Sequence, residues 1–199
     1  MLIATLLLSV TLQVPRGIAP TIDGSIAADE WNDAARVELT NGGEAHLKHD
    51  GMFLYIAITG AGNGIGSLCA VDGKDIRILH ASAALGTAVF RDGKATRGFT
   101  WTNRDTGDMA ARKRFLDAEQ WFANATPRAN PEREYQIRID GRKEIPLTLA
   151  FLSIDGDATK MHVWPAEVDD ACADAKLAGG WTEGQFVFDP QRWGVLALK

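Results

Sequence analysis

PTIDG (residues 20–24), DEW (29–31) and HDGMFLYIAI (49–58) are the three stretches of sequence that decide the fold. Their Asp-Gly pairs are typical of tight turns. After the second Asp-Gly pair, alternate side chains from residue 53 to residue 59 fall on two faces, and both faces are largely apolar. This pattern predicts a central strand that is covered on both sides.

Strand patterns recur along the rest of the chain and are separated by further Asp-Gly turns. Together with the first strand they cover residues 53–59, 75–80, 86–90, 97–102, 134–139, 147–154, 160–164 and 194–198. Many short strands with turn signals between them favour an antiparallel β-sandwich over an α/β sheet. We therefore predict an all-β fold, a sandwich of the immunoglobulin or jelly-roll type.

One or two short external helices are predicted to accompany the sandwich. Between residues 105 and 125, Ala111, Phe115, Ala118 and Phe122 recur at helical spacing, and Pro127 then ends the pattern. A weaker helical pattern covers residues 169–177 and stops at a Gly-Gly pair.

The opening stretches carry a family resemblance. The sequence IDG…EW, followed by DG-x-x-LYIA, resembles the start of family 9 carbohydrate-binding modules and of DOMON-like β-sandwich domains. The resemblance is good over residues 18–58, looser over the closing half, and poor over residues 60–133. It implies a β-sandwich that binds saccharide or, in some branches, haem.

Size and charge restrict the domain count and the class of partner. The chain has 199 residues, of which 46% are hydrophobic, and this suits a single domain. A net charge of −5 argues against nucleic acid or an anionic membrane surface as the main partner.

The N-terminal sequence MLIATLLLSV has the length of the apolar region of a signal peptide and is too short to span a bilayer. We predict that residues 1–17 are a signal peptide or leading segment and that 18–199 form a single carbohydrate-binding-like domain. This implies a secreted or periplasmic protein whose mature form is not membrane-bound. The alternative is that the apolar run is a first buried strand.

Cys69 and Cys172 are compatible with an oxidising compartment. A disulfide between them would close a loop of about 100 residues and contribute about 4–5 kcal/mol in the chain-entropy model. The alternative is that both cysteines are small buried apolar residues.

The six tryptophans are the main candidates for ligand contacts. Trp31 and Trp193 are predicted to pack in the core, whereas Trp164 could be buried or exposed. The predicted saccharide-binding residues are Trp101, Asn103, Arg104, Trp121 and Trp181. For each tryptophan the structural alternative is a partly buried core residue.

The resemblance implies a sugar held between two tryptophans and, in some members, calcium. Residues 59–66 here are glycine-rich and lack the acidic, Trp-bearing loop common in that family, so we predict no metal and interpret the segment as a loop. His46 and His49 would face opposite sides of a strand, which argues against a metal pair.

Haem is the alternative cofactor implied by the DOMON resemblance. Potential axial ligands are present at Met52, Met109, Met161, His80 and His162. The chain has no Cys-x-x-Cys-His motif for covalent attachment, and the ordinary interpretation of these residues is structural.

The sequence shows no motif of a known catalytic class. There is no G-x-S-x-G or H-E-x-x-H, and neighbouring acids such as those at 29–30 and 169–170 do not by themselves form a glycosidase pair. We therefore predict an extracytoplasmic module that binds saccharide by aromatic stacking without catalysis. The alternatives are a b-type haem electron-transfer domain, a carbohydrate-active enzyme of undescribed type, and a domain for protein contacts.

Overall fold

The computed structural model describes residues 9–27, 29–103, 108–125 and 132–199. The helices are α1 (Met109–Glu119) and α2 (Ala175–Ala178), and 3-10 turns lie at Ala171–Ala173 and Pro190–Arg192. The strands are β1 (Thr11–Val14), β2 (Ala35–Glu38), β3 (Glu44–His49), β4 (Phe53–Thr59), β5 (Gly64–Asp72), β6 (Asp75–Ala81), β7 (Ala84–Arg91), β8 (Lys94–Asn103), β9 (Trp121–Ala125), β10 (Arg133–Arg138), β11 (Glu144–Asp155), β12 (Ala158–Trp164) and β13 (Gly194–Leu198).

These strands form two sheets, which confirms the predicted all-β sandwich. The larger sheet has the order β1-β13-β11-β5-β6-β7-β8, and β12 also pairs with the long strand β11. The smaller sheet has the order β2-β3-β4-β10-β9. The β1–β13 pair is parallel, whereas the other strand pairs of the described residues are antiparallel.

Two hydrophobic clusters hold the molecule together. The first lies between the sheets and includes Leu54, Ile56, Leu149 and Phe151. The second lies on the outer face of the larger sheet, where the C-terminal segment (residues 165–193) covers it, and it includes Trp193. The outer face of the larger sheet is thus only partly covered, and the uncovered part at β8 carries the candidate site described below.

The opening signature is a structural anchor. Trp31 is buried, as predicted, and the ammonium group of the buried Lys48 lies 5.3 Å from its ring. Lys48 also donates a hydrogen bond of 2.8 Å to Asp33. At the Asp23-Gly24 turn, both backbone N–H groups donate to one carboxylate oxygen of the buried Glu134.

The predicted first helix is shorter than its sequence pattern. Asp108 caps α1 by accepting hydrogen bonds from the N–H groups of Ala110 and Ala111, and Gln120 ends the helix with a φ of 62°. The next residues, 121–125, form β9, which pairs with β10. The second predicted helix is present as a 3-10 turn and α2.

The glycine-rich segment is not all loop. Gly64 and Gly66 lie in β5, which pairs with β11. Space requires glycine at both positions, since a Cβ on Gly64 would lie 1.9 Å from the Leu152 carbonyl oxygen. A Cβ on Gly66 would lie 2.1 Å from the Tyr135 hydroxyl. The glycines therefore allow close approach of strands and side chains, and the loop prediction was wrong for residues 64–66.

Part of the predicted leading segment belongs to the domain. Residues 11–14 form β1, and Val14 is completely buried in the cluster between the sheets. This strand lies before the domain boundary at residue 18, which stays a prediction, and residues 1–8 lie outside the described part of the chain. Within the described residues, no helix is both long and apolar enough to cross a membrane.

Candidate functional site

Trp101 lies near the end of β8, at the edge of the larger sheet, and 48% of its surface is exposed. Its ring stacks on Phe99, with centroids 4.7 Å apart and planes inclined by 23°. The ring also lies against Gly86 on the neighbouring strand, where a Cβ would approach ring carbon to 2.7 Å. The missing side chain at Gly86 lets the indole lie close to the sheet.

His80 packs edge-on against both rings of this pair. Its imidazole is buried and meets Trp101 edge-on at a centroid distance of 4.8 Å. One ring nitrogen lies 3.2 Å from the Ser82 hydroxyl. Burial lowers the pKa of the His80 imidazole to about 4, so the ring is neutral at neutral pH. Trp101 therefore packs against a buried and uncharged imidazole.

Trp181 lies next to this pair in the C-terminal segment, with 55% of its surface exposed. Its indole N–H donates to the Glu183 carbonyl at 3.0 Å, and its backbone N–H donates to the Lys176 carbonyl at 2.9 Å. The preceding Gly180 has a φ of 99°, and a Cβ there would lie 3.1 Å from the Trp101 ring. The Trp101 ring therefore packs against the residue that precedes the exposed Trp181. We call Phe99, Trp101 and Trp181 the aromatic surface.

Trp121, the third tryptophan predicted to contact ligand, is not part of this surface. It opens β9, is completely buried, and stacks on Tyr135 with centroids 6.1 Å apart. Its indole N–H donates to the Thr87 hydroxyl at 2.8 Å. The helical pattern placed it at the edge of a helix, but α1 ends at Glu119 and the chain then enters the sandwich interior.

The remaining predicted contacts are only partly located. Asn103 is the last residue of β8 and pairs with Ala84. Its backbone is therefore two residues beyond Trp101. Arg104 lies outside the described residues. Both remain predictions as ligand contacts.

Cys69 and Cys172 form a disulfide, which confirms the pairing considered from the sequence. The bond joins the 3-10 turn at Ala171–Ala173 to β5. Close by, Asp170 accepts hydrogen bonds from the Trp193 indole and the Asp189 backbone N–H, both at 2.7 Å. The disulfide and Asp170 hold the C-terminal segment, and therefore Trp181, against the sheet.

An open groove of about 810 Å³ runs along the C-terminal segment and has Trp181 in its wall. Its apolar lining includes Phe186 and Val187, and Val187 is 73% exposed. Its charged lining residues are Asp169, Asp170, Asp174, Lys176, Glu183 and Asp189. We call this space the C-terminal groove; its volume lies in the range of small-molecule sites.

The residues considered as ligands of haem or metal are dispersed over the structure, and most of them already have structural contacts. His162 uses both ring nitrogens, at 2.9 Å from the Ser153 hydroxyl and 2.7 Å from the Gly42 carbonyl. Met52 and Met109 are exposed on a turn and at the start of α1, far apart in the chain. Within the described ranges, no three His, Cys, Asp or Glu side chains come together in a group able to hold a metal ion.

Comparison with known proteins gives a fold match and no sequence match. No protein-family model matches the chain, and neither does any curated protein sequence. Among solved structures, a Bacteroides uniformis protein whose description proposes carbohydrate binding is similar, with a TM-score of 0.56 and 8% sequence identity. The match covers 96% of this chain and 99% of that protein, so the two share a fold.

Sequence reasoning missed the residues that support the two indoles. Trp101 was chosen from the sequence, but Gly86, His80 and Gly180, which contact its ring, come from other elements. A small residue that faces an aromatic side chain on a neighbouring element is the sequence signal that could have located these supporting residues. It can be used only once the register of β6, β7 and β8 is known.

Proposed function

We propose that this protein is a saccharide-binding module that stacks sugar rings on the aromatic surface without catalysis. The observation that carries the proposal is the exposure of two indoles: that of Trp101, which stacks on Phe99 and packs against Gly180, and that of Trp181, the next residue. Large exposed aromatic side chains placed together on a folded domain are typical of binding sites. The fold shared with the Bacteroides uniformis protein is consistent with this function.

The packing of Trp101 favours binding to a preformed site. Phe99, His80, Gly86 and Gly180 all contact the ring, and 48% of the residue's surface stays exposed. A ring that is already held loses little conformational freedom when a ligand covers it. The open shape of the adjacent C-terminal groove suits an extended saccharide better than an enclosed small molecule.

The proposal is tested by titrating neutral oligosaccharides while following intrinsic tryptophan fluorescence. We expect a saturable change for the wild type and at least tenfold weaker binding for Trp101→Ala and for Trp181→Ala, which corresponds to about 1.4 kcal/mol each. Met52→Ala is the matched control because it also truncates an exposed apolar side chain, at 57% exposure, on a turn outside this surface. Equal affinities for all four proteins would refute the proposed site.

We also propose that the protein works outside the cytoplasm. Supporting this, the Cys69–Cys172 disulfide is of a kind that persists mainly in oxidising compartments. Thiol alkylation of the protein taken directly from its producing cells tests this. We expect no free thiol before reduction and two after it, whereas two reactive thiols before reduction would contradict the proposal.

A further inference from the structure

The C-terminal groove joins an exposed aromatic ring to an excess of negative charge. Its lining contains the carboxylates of Asp169, Asp170, Asp174, Glu183 and Asp189 and a single ammonium group, that of Lys176. Arg192 pairs with Asp169 and also attracts the carboxylates of Asp170 and Asp189, but Arg192 and Lys176 together are outnumbered by the five lining acids. The groove therefore has a net negative charge on its described lining.

Three of the acidic side chains are held by backbone N–H groups, so their charge is fixed in space. Asp170 accepts from the Cys172 N–H at 2.8 Å, and Asp174 accepts from the Lys176 N–H at 2.7 Å. Asp189 accepts from the Gln191 N–H at 3.3 Å. Glu183 is exposed and makes no side-chain hydrogen bond to a described residue, and it lies two positions after Trp181.

An indole face and nearby carboxylates favour the same kind of group. A cation is attracted to the face of tryptophan and to carboxylates, whereas an anion is repelled by both. Neutral hydroxyl groups can accept or donate at such a site but gain no net Coulomb energy from it. The negative charge of the groove therefore favours positively charged sugars over neutral ones, and disfavours negatively charged sugars.

We propose that the saccharide which occupies the aromatic surface and C-terminal groove carries protonated amino groups, as in an oligomer of glucosamine. This rests on the proposed function, since it assigns a ligand class to the same site. Trp181 belongs to both the aromatic surface and the groove, so a chain stacked on it brings neighbouring sugar units to the carboxylates. Acidic saccharides, such as oligomers of galacturonic acid, are disfavoured there.

The test compares three ligands of equal length by calorimetry: oligomers of glucosamine, of N-acetylglucosamine and of galacturonic acid. We expect the glucosamine oligomer to bind at least tenfold more tightly than its N-acetylated counterpart, and the acidic oligomer most weakly. The preference for the amine should shrink as salt is raised from about 0.01 to about 1 M, because the Debye length falls from about 30 Å to about 3 Å.

Charge-neutralising variants locate the effect. In Asp174→Asn/Glu183→Gln, asparagine can still cap α2, and glutamine keeps the size of the exposed side chain. We expect this double variant to bind the glucosamine oligomer about fivefold to twentyfold more weakly and the N-acetylated oligomer unchanged. The matched control is Asp155→Asn/Asp157→Asn, which removes the same charge at exposed positions in the β11–β12 hairpin.

The outcomes separate this inference from the proposed function. If the neutral oligomer binds as tightly as the amine, or if the double variant has no effect, the charge preference is wrong and saccharide binding stands. If no oligomer binds, the proposed function itself fails. If an oligolysine peptide binds more tightly than the glucosamine oligomer and competes with it, the groove recognises cationic peptide and the saccharide assignment is overturned.

Discussion

Glu134 shows at the scale of one residue what the opening signature does. Its carboxylate is fully buried, one oxygen accepts from the N–H groups of Asp23 and Gly24, and the other has no hydrogen-bond partner among the described residues. Burial, together with the negative charges of Asp23 and Glu30, raises the pKa of the Glu134 carboxyl to about 7. The sequence alone gives no sign of this raised pKa, which follows from the burial of Glu134 in the folded protein.

The raised pKa predicts how stability depends on pH. The folded state binds the Glu134 proton more tightly than the unfolded state does. The stability that this tighter binding contributes is complete below about pH 4.5 and is lost as the pH rises through about 7. Relative to Glu134→Gln, we expect wild type to lose up to about 3 kcal/mol over that range. Urea unfolding of both proteins at each pH measures this, and a constant difference between them would contradict it.

Lys48 gives a second prediction at residue scale. Its ammonium group is buried and bonds to Asp33 and to the Glu30 carbonyl, beside the Trp31 ring. Lys48→Met keeps the apolar stem but leaves these acceptors unpaired, and we expect the free energy of unfolding to fall by about 2 kcal/mol. Urea unfolding measures the loss; Lys160→Met, at an exposed position in β12, should change it by less than about 0.5 kcal/mol.

Strand β5 carries a prediction at the scale of an element. Because Gly64 lies against the Leu152 carbonyl, Gly64→Ala forces the β5–β11 pair apart. We expect a loss of about 3 kcal/mol in the free energy of unfolding. Gly98→Ala in β8 is the control, since its Cβ would meet nothing closer than the Thr182 hydroxyl at 3.4 Å. Equal thermal stability of the two variants would contradict the close approach of β5 and β11 at Gly64.

The strands also show which parts of the fold could be predicted from the sequence and which could not. Alternating side chains and Asp-Gly turns located the strands β4, β6 and β11, because periodicity and turn chemistry are local. The strand character of Gly64 and Gly66 depends on β11 and Tyr135, which lie far away in sequence. Trp121 was misplaced for a related reason: whether the chain continues a helix or joins β10 is decided by pairing, not by local pattern.

The candidate site was predictable only in part. The exposure of Trp101 and Trp181 matches the sequence-based choice of these residues. Their proximity depends on the fold of the C-terminal segment, which brings Gly180 to the Trp101 ring. The charge of the C-terminal groove was likewise hidden, since its acids are separated along the chain by up to about 20 residues and meet only in the folded segment.

At the scale of the whole molecule, the Cys69–Cys172 bond joins the C-terminal segment to the sandwich across 103 positions of sequence. Removing it in Cys69→Ala/Cys172→Ala should cost about 4–5 kcal/mol of stability through the entropy of the unfolded chain. Because Trp181 lies in the same segment, saccharide affinity should fall as well. Denaturant unfolding and fluorescence titration measure the two effects. An unchanged unfolding midpoint would contradict a structural role for the bond.

Hydrogen exchange gives a spatial check on the same variant. Loss of the disulfide should increase exchange mainly in residues 165–193, which cover the outer face of the larger sheet. The core strands β4 and β10 should change little. Uniform exchange across both regions would show that the segment does not open separately from the sandwich.

The most direct test of the central claim uses the six tryptophan indole N–H signals in a two-dimensional NMR spectrum during saccharide titration. We expect the signals of Trp101 and Trp181, assigned by single substitution, to shift with one common affinity. Trp31, Trp121 and Trp193, all buried, should stay in place. Shifts confined to other tryptophans, or no shift with any saccharide tested, would contradict the aromatic surface as the binding site.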